Sequence, residues 1–162
     1  MKAAEAGDAV AQCNLGYAYQ KGEGVATDHQ KAVFWWRKAT EQGDAIAQFN
    51  LGNAFSLGHG VLKDAGQAVF WWCKAAEQGN PQAQFNLAAN FANGVGVNKD
   101  EKQAVFWCRK AAQQDNVDAC FALARMLHFG IGVDKDERAA DEWIRKGLAN
   151  ADANNLGVLL RL

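Results

Sequence analysis

Cysteines, histidines and paired glycines are where chemistry would first be sought in this sequence. Four cysteines (Cys13, Cys73, Cys108, Cys120) and three histidines (His29, His59, His128) have side chains suited to metal ligation or nucleophile–base work. Four Gly-x-Gly-Val segments, beginning at Gly22, Gly58, Gly94 and Gly130, carry two of the glycines of a phosphate-cradling loop. A dinucleotide fingerprint, however, follows a strand, opens a helix and places a third glycine three residues on. Here the glycines close helices and recur four times, so they read as turns. The histidines fall in different parts of the pattern, and none has His, Cys or carboxylate partners at ligand spacing. Cys108 and Cys120 straddle one repeat junction and could approach, but two thiols do not make a zinc site. With one Ser (Ser56) and two Thr (Thr27, Thr40), little remains for hydrolase chemistry. No catalytic residue, metal or cofactor is expected.

The 162 residues suffice for one domain, and a hydrophobic content of 49% is enough for a core. Seventeen basic side chains against eighteen acidic ones leave a formal charge of -1, which argues against nucleic acid as a partner. The charge-free run from Ala45 to Leu62 holds Gln48, Asn50, Asn53, Ser56 and His59, so it is no bilayer span. The cysteines sit out of register with one another, as free buried thiols do. Together with the absence of a signal-like start, they favour a cytoplasmic setting; a periplasmic or secreted one applies if the chain is a fragment.

A shift of 36 residues brings the sequence into register with itself. Ala11-Gln-Cys-Asn-Leu-Gly returns at Ala47, Ala83 and, more loosely, Ala119, while Trp35, Trp71, Trp107 and Trp143 keep the same step. Residues 44–79 and 80–115 match at 20 of 36 positions. Four repeats follow, at residues 8–43, 44–79, 80–115 and 116–151.

Each repeat reads as two helices. In the first, Ala47, Leu51, Ala54 and Phe55 fall at the i, i+4, i+7, i+8 spacing of a buried stripe. Gly58 suits the left-handed end of that helix, Val61 plugs the gap between the helices, and Asp64 caps the second, as Asp28, Asp100 and Asp136 do elsewhere. The second helix places Ala68, Trp71, Trp72 and Ala75 on one side, with Trp35 and Trp36 equivalent, all expected in the core. The predicted fold is all-α: a right-handed α-solenoid of four helix-turn-helix repeats.

Gly-x-Gly-Val, then Asp, then Ala-x-x-Trp, then Lys-Ala-Ala-x-x-Gly resembles the Sel1-like repeat, a relative of the tetratricopeptide repeat, and the match covers nearly the whole chain. The resemblance implies a superhelical adaptor in protein complexes, in bacteria often linked to signalling, envelope processes or host interaction. One cysteine-rich branch is associated with β-lactam binding. It carries in-register cysteine pairs, which this sequence lacks, leaving a β-lactam-binding or hydrolysing enzyme as the secondary reading.

The resemblance also implies that the first helices line a concave groove. Asn14, Asn50 and Asn86 recur there, with Ala122 breaking the series. Such amides can bond an extended peptide backbone, or instead tie each helix to a neighbouring repeat; both readings stand. One turn away the residues vary: Tyr17, Asn53, Ala89 and Arg125, then Gln20, Ser56, Ala92 and His128. Variation on a repeated framework suits specific recognition, and Arg125 with His128 makes a cationic corner able to hold a carboxylate. The expected partner contacts are Asn14, Tyr17, Asn50, Asn53, Asn86, Arg125 and His128, with a protein or peptide as partner.

Phe34, Phe70 and Phe106 stand about 200° around the second helix from the buried alanines. An outward apolar ridge there marks an interaction site, including self-association into a homo-oligomer, unless adjacent helices cover the ring edges. The ends complete the expectation. Residues 1–7 read as the tail of a preceding repeat, 152–162 as a capping first helix, and the natural array as extending further.

Overall fold

The computed structural model describes residues 1–159, with side chains to residue 151. Among the described residues the chain is entirely helical: α1 (Lys2–Glu5), α2 (Ala9–Lys21), α3 (His29–Glu41), α4 (Ala45–Leu57), α5 (Ala65–Glu77), α6 (Pro81–Asn93), α7 (Glu101–Gln113), α8 (Val117–Phe129) and α9 (Glu137–Leu159). This is the four-repeat α-solenoid architecture anticipated above, and each repeat is one helix pair.

Local rules set the helix boundaries. Asp44 Oδ1 accepts from the Ala47 amide at 2.6 Å and Asp64 Oδ1 from the Gln67 amide at 2.9 Å, satisfying donors that the first turn leaves open. Asp28, Asp100 and Asp136 cap their helices in the same way. Gly58 closes α4 in the left-handed region at φ 77°, returning its N–H to the Ala54 carbonyl.

A second turn separates one repeat from the next, and it explains the length of α9. Gly43, Gly79 and Asp115 hold φ of 83°, 92° and 65° there. The equivalent residue in the last repeat is Ala151, a strong helix former that enters that conformation only at a cost. Residues 152–159, expected to open a capping helix, instead continue α9 without a break. Residues 160–162 lie outside the described residues.

The chain forms two compact units, Met1–Ala83 and a second from Gln84 onward. In the first, α2 packs on α3, α4 on α5, and α3 on α4. Small residues at the contact (Ala32, Ala39, Ala47) let these helices approach closely around fully buried Leu51 and Trp36. Val61 packs against this cluster from its loop. Trp36 and Trp72 are buried as expected, whereas Trp35 and Trp71 are half-buried. Their rings stand edge-on to Phe34 and Phe70 toward the surface. In the second unit α7 and α9 both pack on α8, around Leu123, Cys108 and Cys120.

Candidate functional site

Three amide pairs hold the framework that any site must stand on. Gln12, Gln48 and Gln84 are buried, and each accepts a hydrogen bond from a glutamine 30 residues on. Gln42 Nε2 donates to Gln12 at 2.9 Å, Gln78 Nε2 to Gln48 at 2.8 Å and Gln114 Nε2 to Gln84 at 2.8 Å. Each pair joins a first helix to the end of the second helix in the same repeat. The fourth repeat has Cys120 at the buried position, and there Lys146 Nζ instead ties α9 to the end of α7 in the preceding repeat. It donates to the Ala112 carbonyl at 3.0 Å and pairs with Asp115 at 3.0 Å. These residues were not singled out in the sequence, although their 36-residue recurrence was a usable signal.

In the first unit the predicted groove residues divide. Asn14 is exposed, and Tyr17 is 43% exposed with Lys21 Nζ 5.8 Å from its ring. Asn50 is half-buried and neighbours the Cys13 thiol. Burial pushes that thiol up to about 12; the neighbouring Asp44 carboxylate adds to the shift and Asn50 opposes it. Asn53 accepts a hydrogen bond from Trp72 Nε1 at 3.1 Å, so part of its capacity serves the packing of α4 on α5. The structure also stacks His29 and His59, with ring centroids 4.8 Å apart and 16° between planes. Their spacing in the sequence leaves these two histidines apart. The loop after α4 lies against the start of α3, where a Cβ on Gly60 would overlap the His29 carbonyl.

In the second unit Asn86 is half-buried, and its carbonyl accepts from Asn90 Nδ2 at 2.8 Å. Arg125 and His128 lie on one face of α8 and open into a cavity of about 360 Å³ between α8 and α9. Its apolar walls are Phe121, Phe129 and Ile144, and Asp141 stands on its rim. Arg125 and Phe121 also line an open cleft of about 490 Å³ that reaches Phe85 on α6, with Asp118 and Ala122 between. Two hollows thus meet at a guanidinium and an aromatic ring on α8, and the second of them reaches the first helix of the preceding repeat at Phe85. That arrangement suits an apolar side chain beside a carboxylate. Behind it, burial pushes the Cys108 thiol up to about 12; nearby Cys120 reinforces the shift and the Arg125 guanidinium opposes it. All four cysteines are free, and none of these thiols is primed as a nucleophile.

On the second helices Phe34, Phe70 and Phe106 are 51%, 49% and 47% exposed. Neighbouring helices leave about half of each ring open to solvent. A lysine one turn on lies over each ring: Lys38 at 5.2 Å, Lys74 at 5.1 Å and Lys110 at 4.8 Å.

The Sel1 repeat family model matches residues 9–44, 45–80, 81–116 and 117–152. The chain belongs to the Sel1 repeat family. Among solved structures it is similar to c5321, described as a protective antigen present in uropathogenic Escherichia coli strains and displaying an SLR fold. The TM-score is 0.89 and the identity 36%, over 91% of this chain and 32% of that one. A Sel1 repeat protein from Oxalobacter formigenes matches with a TM-score of 0.83 and 37% identity, over 86% of this chain and 58% of that one. The chain therefore spans less than two thirds of either relative. Cysteine rich protein B of Helicobacter pylori shares the fold at 23% identity and a TM-score of 0.62. No curated protein sequence matches the chain.

Sel1 repeats generally serve as scaffolds for protein interaction. In this Sel1 array the glutamine pairs and aspartate caps repeat while Tyr17, Asn53, Ala89 and Arg125 differ at one register position. Among the described residues no helix is long and apolar enough to cross a membrane.

Proposed function

We propose that this Sel1 chain is a non-catalytic scaffold that holds a segment of a partner protein against its first helices. The meeting of the two hollows at Phe121 and Arg125 is the observation that carries the reading. An apolar side chain of the partner enters between α8 and α9, and an adjacent carboxylate pairs with Arg125 and His128. Asn86 on α6 offers a further polar contact to the backbone of that segment. In the first unit, taken by itself, Asn14, Tyr17 and Asn50 offer polar contacts of the same kind. Because a solenoid scaffold is preformed, binding need not order the helices first, which favours affinity.

The reading is tested by selecting peptides on the purified chain from a displayed random library and titrating the enriched peptides against variants. Arg125→Ala and Phe121→Ala are each expected to weaken binding about tenfold or more, equivalent to roughly 1.4 kcal/mol, with the melting transition retained. Peptides whose affinity is indifferent to both substitutions would refute it.

A further inference from the structure

Beyond that first-helix site, we propose that α7 carries a second docking recess, built for an acidic segment of a partner protein with the pattern acidic–x–apolar–x–acidic. The recess, of about 370 Å³, is lined by Lys102, Val105, Phe106, Arg109, Lys110 and Gln113. Three of the six lining residues are cations and none is a carboxylate, although the whole chain has a formal charge of -1. Among the described residues, Lys102, Arg109 and Lys110 enter no ion pair. Phe106 supplies an apolar floor that is half open to solvent, with Val105 buried beneath.

Spacing selects the occupant. Lys102, Phe106 and Lys110 fall at i, i+4 and i+8 on one helix, so successive members stand about 6 Å apart along its axis. In an extended peptide, residues i, i+2 and i+4 share one face at about 6.7 Å per step. Two carboxylates flanking an apolar side chain therefore meet the two ammonium groups while the apolar group seats on the ring. Lys110 Nζ lies over the Phe106 ring, 4.8 Å from its centroid, so a carboxylate that draws this ammonium outward pairs with it and uncovers the ring face for the apolar group. Arg109, one residue before Lys110, adds a fork-shaped donor at that end of the recess, and it also lines the adjoining hollow that holds Asp134, Asp136 and Glu137, so the two lysines carry the recognition. A bilayer surface would use the charge but not this alternation. The fourth repeat lacks the set: Glu142 replaces the phenylalanine, and Lys146 is committed to Asp115 and the Ala112 carbonyl.

The test is fluorescence polarisation with the labelled peptide Ser-Glu-Ser-Phe-Ser-Glu-Ser, a version with both Glu replaced by Gln, and a version with both replaced by Lys. The Glu peptide is expected to saturate the chain below about 1 mM and to weaken as salt rises. The Gln peptide and the Lys102→Glu/Lys110→Glu variant should each cost about tenfold or more. The same variant should gain affinity for the Lys peptide while keeping the wild-type melting transition, which a misfolded chain would lose. Arg125→Ala should leave the Glu peptide unaffected, which separates this recess from the first-helix site. Equal affinity for the Glu and Gln peptides would overturn the proposal. So would loss with Arg125→Ala, or capture by phosphatidylserine-containing vesicles without peptide binding.

Discussion

Trp72 Nε1 donates to Asn53 Oδ1 at 3.1 Å, and one repeat earlier the equivalent Trp36 Nε1 is buried without a partner. The difference lies in one residue: Tyr17 occupies the position that Asn53 fills in the second repeat. A variable position on a first helix therefore faces outward and also touches the framework beneath.

That relationship predicts a graded response at position 17. Tyr17→Asn supplies an acceptor for Trp36 Nε1, so it should be more stable than Tyr17→Ala by about 1 kcal/mol. In the second repeat, Asn53→Ala leaves a buried indole N–H unpaired and should cost about 1–3 kcal/mol. Urea unfolding of the three variants checks both statements.

Beneath the same tryptophans lie two glycines. A Cβ added at Gly52 would fall 2.5 Å from Trp72 Cδ1, and one at Gly16 would fall 2.5 Å from Trp36 Nε1. Helix propensity alone would make Gly→Ala stabilising by about 1 kcal/mol at either site. The clash with a large, packed ring should reverse the sign and give a net loss of about 1–3 kcal/mol. A gain measured by denaturant unfolding would show that the indole yields.

The glutamine pairs make a further prediction. Gln78→Ala removes the partner of a buried amide, and the expected loss is about 1–3 kcal/mol. In a double-mutant cycle with Gln48→Ala the two losses should fall short of additivity by about 1 kcal/mol. Additive losses would mean that the pair contributes nothing through its hydrogen bond.

Burial of the thiols sets a pH dependence. Cys13 and Cys108 are pushed up from an ordinary value of 9.0 to about 12 in the folded chain, chiefly by desolvation. The folded state thus holds protons that the unfolded state releases above pH 9, so stability is fully present below that value and falls as pH rises toward 12. Cys108→Ala should flatten the alkaline slope of the unfolding free energy, and native Cys13 and Cys108 should resist alkylation at pH 8.

Much of this architecture was legible because its signals are local. Caps at Asp28 and Asp64, the left-handed Gly58 and the Leu51 stripe each depend on neighbours within a few residues, and the 36-residue step repeats them. What escaped the sequence depends on how one helix stacks on the next. Gln48 looks like a surface amide until Gln78, 30 residues on, is folded against it. His29 and His59 meet only because a loop crosses the start of α3. Arg125 and His128 were visible as a cationic corner, but the walls of Phe121, Phe129 and Ile144 arise from the packing of α8 on α9. The continuation of α9 was foreshadowed by Ala151 standing where the earlier repeats have a residue suited to positive φ.

The most direct test of the scaffold reading is amide hydrogen exchange of the chain with and without a library-selected peptide at saturation. Protection is predicted over α8 from Phe121 to His128 and over α6 around Phe85, with little change on α3 or α5. Exchange unchanged across α6 and α8 in the saturated complex would contradict the account, because the partner would then be held elsewhere.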